Sequence, residues 1–266
     1  MEHFKYIING EDPFAVNLAT KLPNHLLIGN SILPGGCFNS AFNPGSQESY
    51  QSLPSCRLSD ELIKRNALLD GRLHLPALPV VLAHFITEAA VNCRFNSHVI
   101  KAEHDGKNWL ITISGDDGLT QVTSEYFIDA VFISPLRKYY MELGENIVAK
   151  KFNALLCLEA DFDGQLSNSG EIIRGRFDDE GVFKIPVAPD CNFTQARQAM
   201  TEFWRRQPET IPCHVVATAS DFELKTTNIA LPEIQRNLLR IAVWNYPNPV
   251  AAFAAADTLI KSGELK

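Results

Sequence analysis

The sequence predicts an α/β fold: a parallel sheet opened by a βαβ unit, a β-meander attached to it, and a second, antiparallel α+β lobe. Three observations predict it. The chain starts with an apolar run, a helical spacing and a second apolar run; a block of short β-rich runs punctuated by Asp-Gly follows; and the character changes to antiparallel strands with one long helix after Pro135.

Phe4 to Asn9 is apolar and ends at Gly10. Phe14, Val16, Leu18, Ala19 and Leu22 follow at helical spacing before Pro23, and His25 to Ile28 is a short buried run closed by Gly29 and Asn30. From Gly36 to Leu73 the chain is rich in Ser, Asn, Pro and Gln, an excursion with one helix expected over Ser59 to Leu69 and Ser59 as its N-cap. Pro79 marks a helix start that continues through Val80, Val81, His84, Phe85 and Glu88 toward an apolar segment, Val91 to Phe95. Ser97 to Glu103, Trp109 to Ser114, Leu119 to Thr123 and Tyr126 to Ser134 are the meander, with turns at Asp105-Gly106 and Asp116-Asp117-Gly118. Its last run, YFIDAVFIS, is apolar enough to lie in a parallel sheet.

Beyond Pro135, strands are expected over Asn153 to Phe162, Glu171 to Phe177, Val182 to Val187 and Ile211 to Phe222. A helix over Thr194 to Gln207 ends at Pro208, with Arg205 and Arg206 placed where cations favour the helix dipole. Asn237 to Trp244 returns as a buried strand, and Pro249 to Lys261 is a closing helix ended near Gly263.

Composition narrows the function classes. With 45% hydrophobic and 21% charged residues, the 266-residue chain has material for a sizeable core. A net charge of −7 without a Lys/Arg cluster argues against nucleic acid or an anionic membrane as partner. No apolar run approaches the roughly 18 residues of a spanning helix and no leader pattern opens the chain, so a cytoplasmic protein is expected. The cysteines, Cys37, Cys56, Cys93, Cys157, Cys191 and Cys213, are scattered singly and read as reduced thiols, mostly buried. No metal is expected, because Asp161, Asp163, Asp178 and Asp179 flank turns without EF-hand spacing.

The segment VNCRFNSHVIKAEHDGKNWLITISGDDG followed by VTSEYFIDA resembles the connection into the "IDATG" strand end of the FAD-dependent oxidoreductases with the glutathione-reductase-type flavoprotein fold. DCNFTQARQAMTEFWRRQPETIP looks like that family's substrate-lobe helix and the "PGF" turn after it. The resemblance covers nearly the whole chain. It implies a discontinuous FAD/NAD(P)-binding-like, Rossmann-like domain over 1–36, 75–135 and 228–266, an excursion over 37–74, and a substrate-type lobe over 136–227.

Departures from the family pattern cluster where the cofactor would bind. In a G-x-G-x-x-G loop the first Gly permits the turn, the second lets backbone approach the pyrophosphate, and the third allows helix and strand to pack. Here the run is Gly10-Glu11-Asp12-Pro13-Phe14-Ala15. Gly10 is kept and Ala15 is tolerable, but Asp12 puts a negative side chain at the diphosphate position. The ribose-binding acid at the end of the second strand is missing, since Ile28 is followed by Gly29 and Asn30; only Gly35-Gly36 survives nearby. The family's "ATG" after Asp129 becomes Ala130-Val131-Phe132, and its closing "G-D" falls near Val243-Trp244. A carboxylate roughly 4 Å from a phosphate charge costs about 4 kcal/mol at an effective dielectric of about 20. A lost charged hydrogen bond to ribose costs roughly 1.5–3 kcal/mol more. At about 1.4 kcal/mol per tenfold, a nanomolar site falls to micromolar or weaker.

Without flavin, chemistry must come from side chains in the cleft between the lobes. Cys37, Arg72 and His74 are the candidates: a thiol beside the Gly35-Gly36 loop, a cation to bind a substrate carboxylate, and an acid or base. His84 reads as a core histidine, and no triad is assembled from His25, His98 and His104. The expected function is therefore flavoprotein-like but cofactor-free: a cyclase- or isomerase-type enzyme on a small organic substrate, or an accessory subunit on a protein partner. The alternative is an active FAD-dependent oxidoreductase with a divergent phosphate loop.

Overall fold

The computed structural model describes residues 1–51, 55–159, 162, 170–207, 212–228, 237–263 and 265. Strand β1 (Glu2–Asn9), helix α1 (Pro13–Ala19) and strand β2 (His25–Ile28) form the opening βαβ unit. Short helices α2 (Gly36–Ser40), α3 (Glu48–Gln51) and α4 (Arg57–Lys64) and the hairpin β3 (Leu68–Leu69) and β4 (Arg72–Leu73) make the excursion. Helix α5 (Ala77–Glu88) leads to β5 (Cys93–Arg94) and to the meander β6 (His98–His104), β7 (Trp109–Gly115) and β8 (Gly118–Asp129). After α6 (Arg137–Glu142) come β9 (Ile147–Leu158), β10 (Glu171–Arg174), β11 (Glu180–Pro186), α7 (Phe193–Arg205), β12 (Cys213–Thr218) and β13 (Glu223–Thr226). Strand β14 (Leu238–Arg240) and helix α8 (Pro249–Ser262) close the chain.

Two sheets carry the fold. The larger has the order β5-β2-β1-β8-β7-β6, with β14 also on β8; the smaller has the order β10-β11-β9-β12, with β13 also on β9. β1 is parallel to both β2 and β8, as expected for a βαβ opening, and β14 joins β8 in parallel through Leu238, Leu239 and Arg240. Because β1 is covered on both faces, it is apolar along its second half: Tyr6, Ile7 and Ile8 are all buried. Phe14, Leu18, Phe85 and Phe253 from α1, α5 and α8 fill one side of the sheet. Trp109, Phe127 and Tyr140 fill the other, and Phe152, Phe183 and Phe222 form a separate core in the smaller sheet.

Several elements depart from the sequence expectation. The runs Leu119 to Thr123 and Tyr126 to Ser134 belong to one strand, which ends at Asp129. Pairing with β1 on one side and β7 on the other carries Ser124, fully buried, through its polar position. Strand β9 starts at Ile147, before Asn153, because β13 pairs with its first residues. The expected strand Ile211 to Phe222 breaks after Thr218: the Ala219 N–H donates to Asn153 O, and those of Ser220 and Asp221 donate to Ser40 O, at 2.9, 2.9 and 3.1 Å, so the backbone turns toward α2. Helix α4 starts at Arg57, with Cys56 rather than Ser59 as N-cap; Ser59 lies inside the first turn, where its hydroxyl accepts from the Cys56 N–H at 2.9 Å. The helix ends at Lys64, with Arg65 as C-cap and the left-handed Asn66, at φ +57°, just after it. Trp244 lies in a 3-10 turn (Val243–Asn245), and only Leu238–Arg240 is strand. Gly263 does end α8, at φ +75°. Pro208 and Ile211, and the turn carboxylates Asp161 and Asp163, lie outside the described residues.

Candidate functional site

A cavity of about 340 Å³ opens at the carboxyl ends of β1 and β8, between the two sheets. Ligands in open α/β sheets bind at such strand ends. The loop after β1 builds its floor. Gly10, at φ +146°, is required there: a Cβ would lie 3.0 Å from Asp12 Oδ2 and 3.1 Å from the Ala130 Cβ.

Asp12 is the N-cap of α1, with Pro13 as its first residue, and its Oδ1 accepts from the Ala15 N–H at 3.0 Å. The residue is only 3% exposed, and burial pushes its carboxyl up to about 7 despite that N–H. Gly36 packs straight onto this residue, where an added Cβ would be 2.7 Å from the Asp12 Cβ, and the Gly35 N–H donates to Glu11 O at 2.7 Å. The backbone entering α2 therefore lies over the loop.

Glu11 supplies a second buried carboxylate. Its Oε2 accepts from the Asn30 N–H at 3.1 Å, which places it at the end of β2. Burial foremost, with the Asp12 charge adding to it, raises Glu11 to about 7 as well. Cys37 faces the same space, half-buried, and burial, then Asp12, Asp221 and Glu11, holds its thiol well above the usual range. Asp221 arrives from the turn that breaks the long strand, held by the Phe222 N–H at 2.7 Å. Phe132 and Trp244 wall the opposite side, their rings edge to face at 5.3 Å. The Trp244 indole N–H donates to Thr226 Oγ1 at 3.0 Å, which fixes the ring.

Behind this wall lies a charge network. Asp129 is fully buried and accepts from Asn9 Nδ2 at 2.9 Å, from the Tyr140 hydroxyl at 2.8 Å and from Ser134 Oγ. Arg240 donates through Nε and Nη2 to both oxygens of fully buried Glu145, each at 3.0 Å, and lies over the Trp244 ring at 4.7 Å. Arg137 also reaches Glu145, and its guanidinium lies 4.3 Å from the Phe132 ring centroid.

Of the residues singled out in the sequence, Gly10, Asp12, Asn30, Gly36, Phe132 and Trp244 converge on the cavity, and Cys37 joins them. Ala15, Gly35 and Asp129 support it from outside. Arg72 and His74 do not reach it: Arg72 sits on the β4 hairpin, and His74 Nδ1 pairs with Glu180 while its ring meets Phe177 edge to face. Both therefore stand outside the cavity lining, His74 bridging to the smaller sheet through Glu180. His84 is no core histidine; nearly half its side chain is exposed, on the outer face of α5, 3.5 Å from Glu88. Among the cysteines only Cys56 and Cys213 are buried, and Cys157 is exposed. Glu11, Asp221, Arg240 and Glu145 were not among the expected site residues. Two adjacent acids in the phosphate loop were a readable signal for Glu11; nothing local marks the other three. No group of His, Cys, Asp or Glu able to hold a metal occurs among the described residues, and no helix among them is long and apolar enough to cross a membrane.

Solved structures match this architecture over almost its whole length. BexE, studied for oxidation during BE-7585A biosynthesis, superposes with a TM-score of 0.65 at 15% identity, over 95% of this chain and 60% of BexE. Glycine oxidase from Geobacillus kaustophilus gives 0.62 at 12% identity, over 98% of this chain and 94% of the oxidase. Aklavinone-11 hydroxylase, solved with FAD and aklavinone, gives 0.60 at 11% identity, over 97% of this chain and 62% of the hydroxylase. The chain has the fold of the FAD-binding, Rossmann-type oxidoreductases. It spans about three fifths of the length of BexE and of the hydroxylase. No family model matches the sequence, and no curated protein is significantly similar to it.

Proposed function

We propose that this flavoprotein-fold chain has closed its dinucleotide berth and uses the remaining cavity, without flavin, for proton-transfer chemistry on a small organic ligand. The carrying observation is Asp12. Its carboxylate takes the helix N-terminal N–H that the pyrophosphate of a dinucleotide would meet, and it adds a negative charge at that spot. Gly36 backbone seals the loop from above. On this reading the residues present do not fit FAD. The volume agrees, because about 340 Å³ is near the lower end of small-ligand pockets, roughly 300–1,000 Å³.

Two carboxyls near 7 suit acid–base work, because a group whose pKa lies near the working pH both holds and gives up a proton. Burial holds both near 7, with the Asp12 charge adding to Glu11's shift, so each is partly protonated at neutral pH. One then serves as acid while the other serves as base, the combination an isomerase or cyclase needs. Cys37 stays a neutral thiol beside them and is not a nucleophile here.

A second reading, an active FAD-dependent oxidoreductase with a divergent phosphate loop, is favoured by the likeness to a hydroxylase solved with FAD and by the position of Glu11 at the end of β2. The absorbance of the purified protein in the near-ultraviolet and blue separates the two. Colourless protein that also fails to take up added FAD, before and after Asp12→Gly, supports closure, since Phe132 and Trp244 still fill the site. A stoichiometric flavin spectrum refutes it.

A further inference from the structure

Trp244 also lines a second cavity, of about 410 Å³, between the excursion loop and the smaller sheet. Lys184 of β11 lines it with a side chain only 5% exposed, a degree of burial that lysine rarely reaches. Its Nζ lies 2.7 Å from Glu223 Oε2 on β13 and donates to Asn43 Oδ1 in the excursion at 2.9 Å. Asn153 stands directly opposite Lys184 in the β9–β11 ladder, which puts both side chains on one face of the sheet. The Asn153 amide donates to the same Glu223 Oε2 at 2.7 Å and to Ala41 O at 2.8 Å.

A buried ion pair that only ties elements together leaves no polar atom over, and this network does. An ammonium has three N–H donors, and the described residues give Lys184 two acceptors. Asn153 is fully buried, yet its Oδ1 has no partner, where buried amide oxygens are normally paired. Burial is the first influence on Lys184 and lowers its pKa against the opposing pull of Glu223. An amine in that setting gives up its proton more readily than a surface lysine does. Lys151 is held by Glu171 at 2.9 Å and leaves Glu223 to Lys184. Ile173, Leu224, Trp244 and Tyr246 add apolar and aromatic surface to the same cavity.

We propose that Lys184 is an attachment point for aldehydes, held as an imine in this second cavity, whether or not the flavin berth is closed. Glu223 takes one proton from the Lys184 ammonium, and the free amine attacks the aldehyde carbon. A C–N bond forms as the carbonyl π bond breaks, and a proton moves from nitrogen to that oxygen, giving a carbinolamine. Glu223 then returns its proton to the hydroxyl, the C–O bond breaks, and water leaves. Aldehyde and ammonium thus become protonated imine and water, with no change of oxidation state, and Glu223 ends as the carboxylate beside a cation, as it began.

Reductive trapping tests it on the purified full chain. Benzaldehyde with cyanoborohydride fixes each imine as a benzylamine, and peptide mass mapping shows which lysines carry one. In the folded protein Lys184 should be labelled at least about tenfold faster than Lys151 and Lys225, which line the same cavity. In urea the three should be labelled alike, so that the preference belongs to the fold. Lys184→Arg, which keeps a cation for Glu223 but has no amine, should remove the fast uptake of one benzyl group per chain. Labelling of Lys184 no faster than that of Lys151 and Lys225, a preference that persists in urea, fast uptake that survives Lys184→Arg, or no label on Lys184 up to about 10 mM benzaldehyde overturns the site. Should the arginine variant fail to fold, the comparison of folded with unfolded wild type decides by itself.

Discussion

Asp12→Asn isolates the energetic consequence of burying a carboxyl in the phosphate loop. In the folded chain the group titrates near 7, against 3.8 for an ordinary aspartate. The folded state therefore binds more protons than the unfolded one between those values, so stability contributed by the protonated form is present at low pH and declines as pH rises through this window. A gap of about three pH units corresponds to roughly 4 kcal/mol in full, of which about 2.5 kcal/mol falls between about pH 5 and pH 8. Asparagine caps a helix as well as aspartate does, and it has no charge to bury. The variant should therefore gain about 2.5 kcal/mol on the wild type between those pH values, read as the difference in urea unfolding free energies. Glu11 softens the effect, because removing the Asp12 charge lets Glu11 ionise more readily. A stability difference that does not change with pH, or one that turns against asparagine at alkaline pH, would refute a buried, proton-holding Asp12.

Arg240→Met should destabilise by about 3–5 kcal/mol in the same unfolding assay, because it strands the fully buried Glu145 without its bidentate partner; a loss under about 1 kcal/mol would contradict the network. Asn248→Ala should cost about 2 kcal/mol in thermal unfolding, since Asn248 caps α8 through the Ala251 N–H at 2.8 Å and ties it to Ser49 O at 2.9 Å; an unchanged melting curve would remove it as the clamp on α8.

The fold was legible where hydrophobic period and turn chemistry agree. The βαβ opening is written in the spacing from Phe4 to Ile28, and the Ala-rich closing helix in Pro249 and Gly263. Legibility failed where tertiary pairing overrides local preference. Ser124 reads as a break, yet it is carried inside β8 by ladders on both edges. Ala219 to Phe222 reads as strand, yet distant acceptors on Asn153 and Ser40 bend it. No window of sequence contains those partners. Arg72 and His74 stood out by chemistry alone; Arg72 lies in the β3–β4 hairpin and His74 pairs with Glu180 of β11, so neither lines the cavity.

The site divides along the same line. Asp12 was readable because its anomaly is local: an acid stands where a close backbone approach is needed, and its capping role follows from its place before Pro13. Asp221 lies 209 positions further on in the numbering of the chain, and only the turn toward Ser40 brings it round. Read from the sequence alone, Asp12 is a departure from a phosphate loop and nothing more. A single carboxylate at a phosphate position removes affinity for one ligand. Three acids around one cavity make a different environment, and it depends on residues contributed by both sheets' connections. The loop after β1 thus supplies two of the three acids that line the cavity, and the turn toward Ser40 supplies the third.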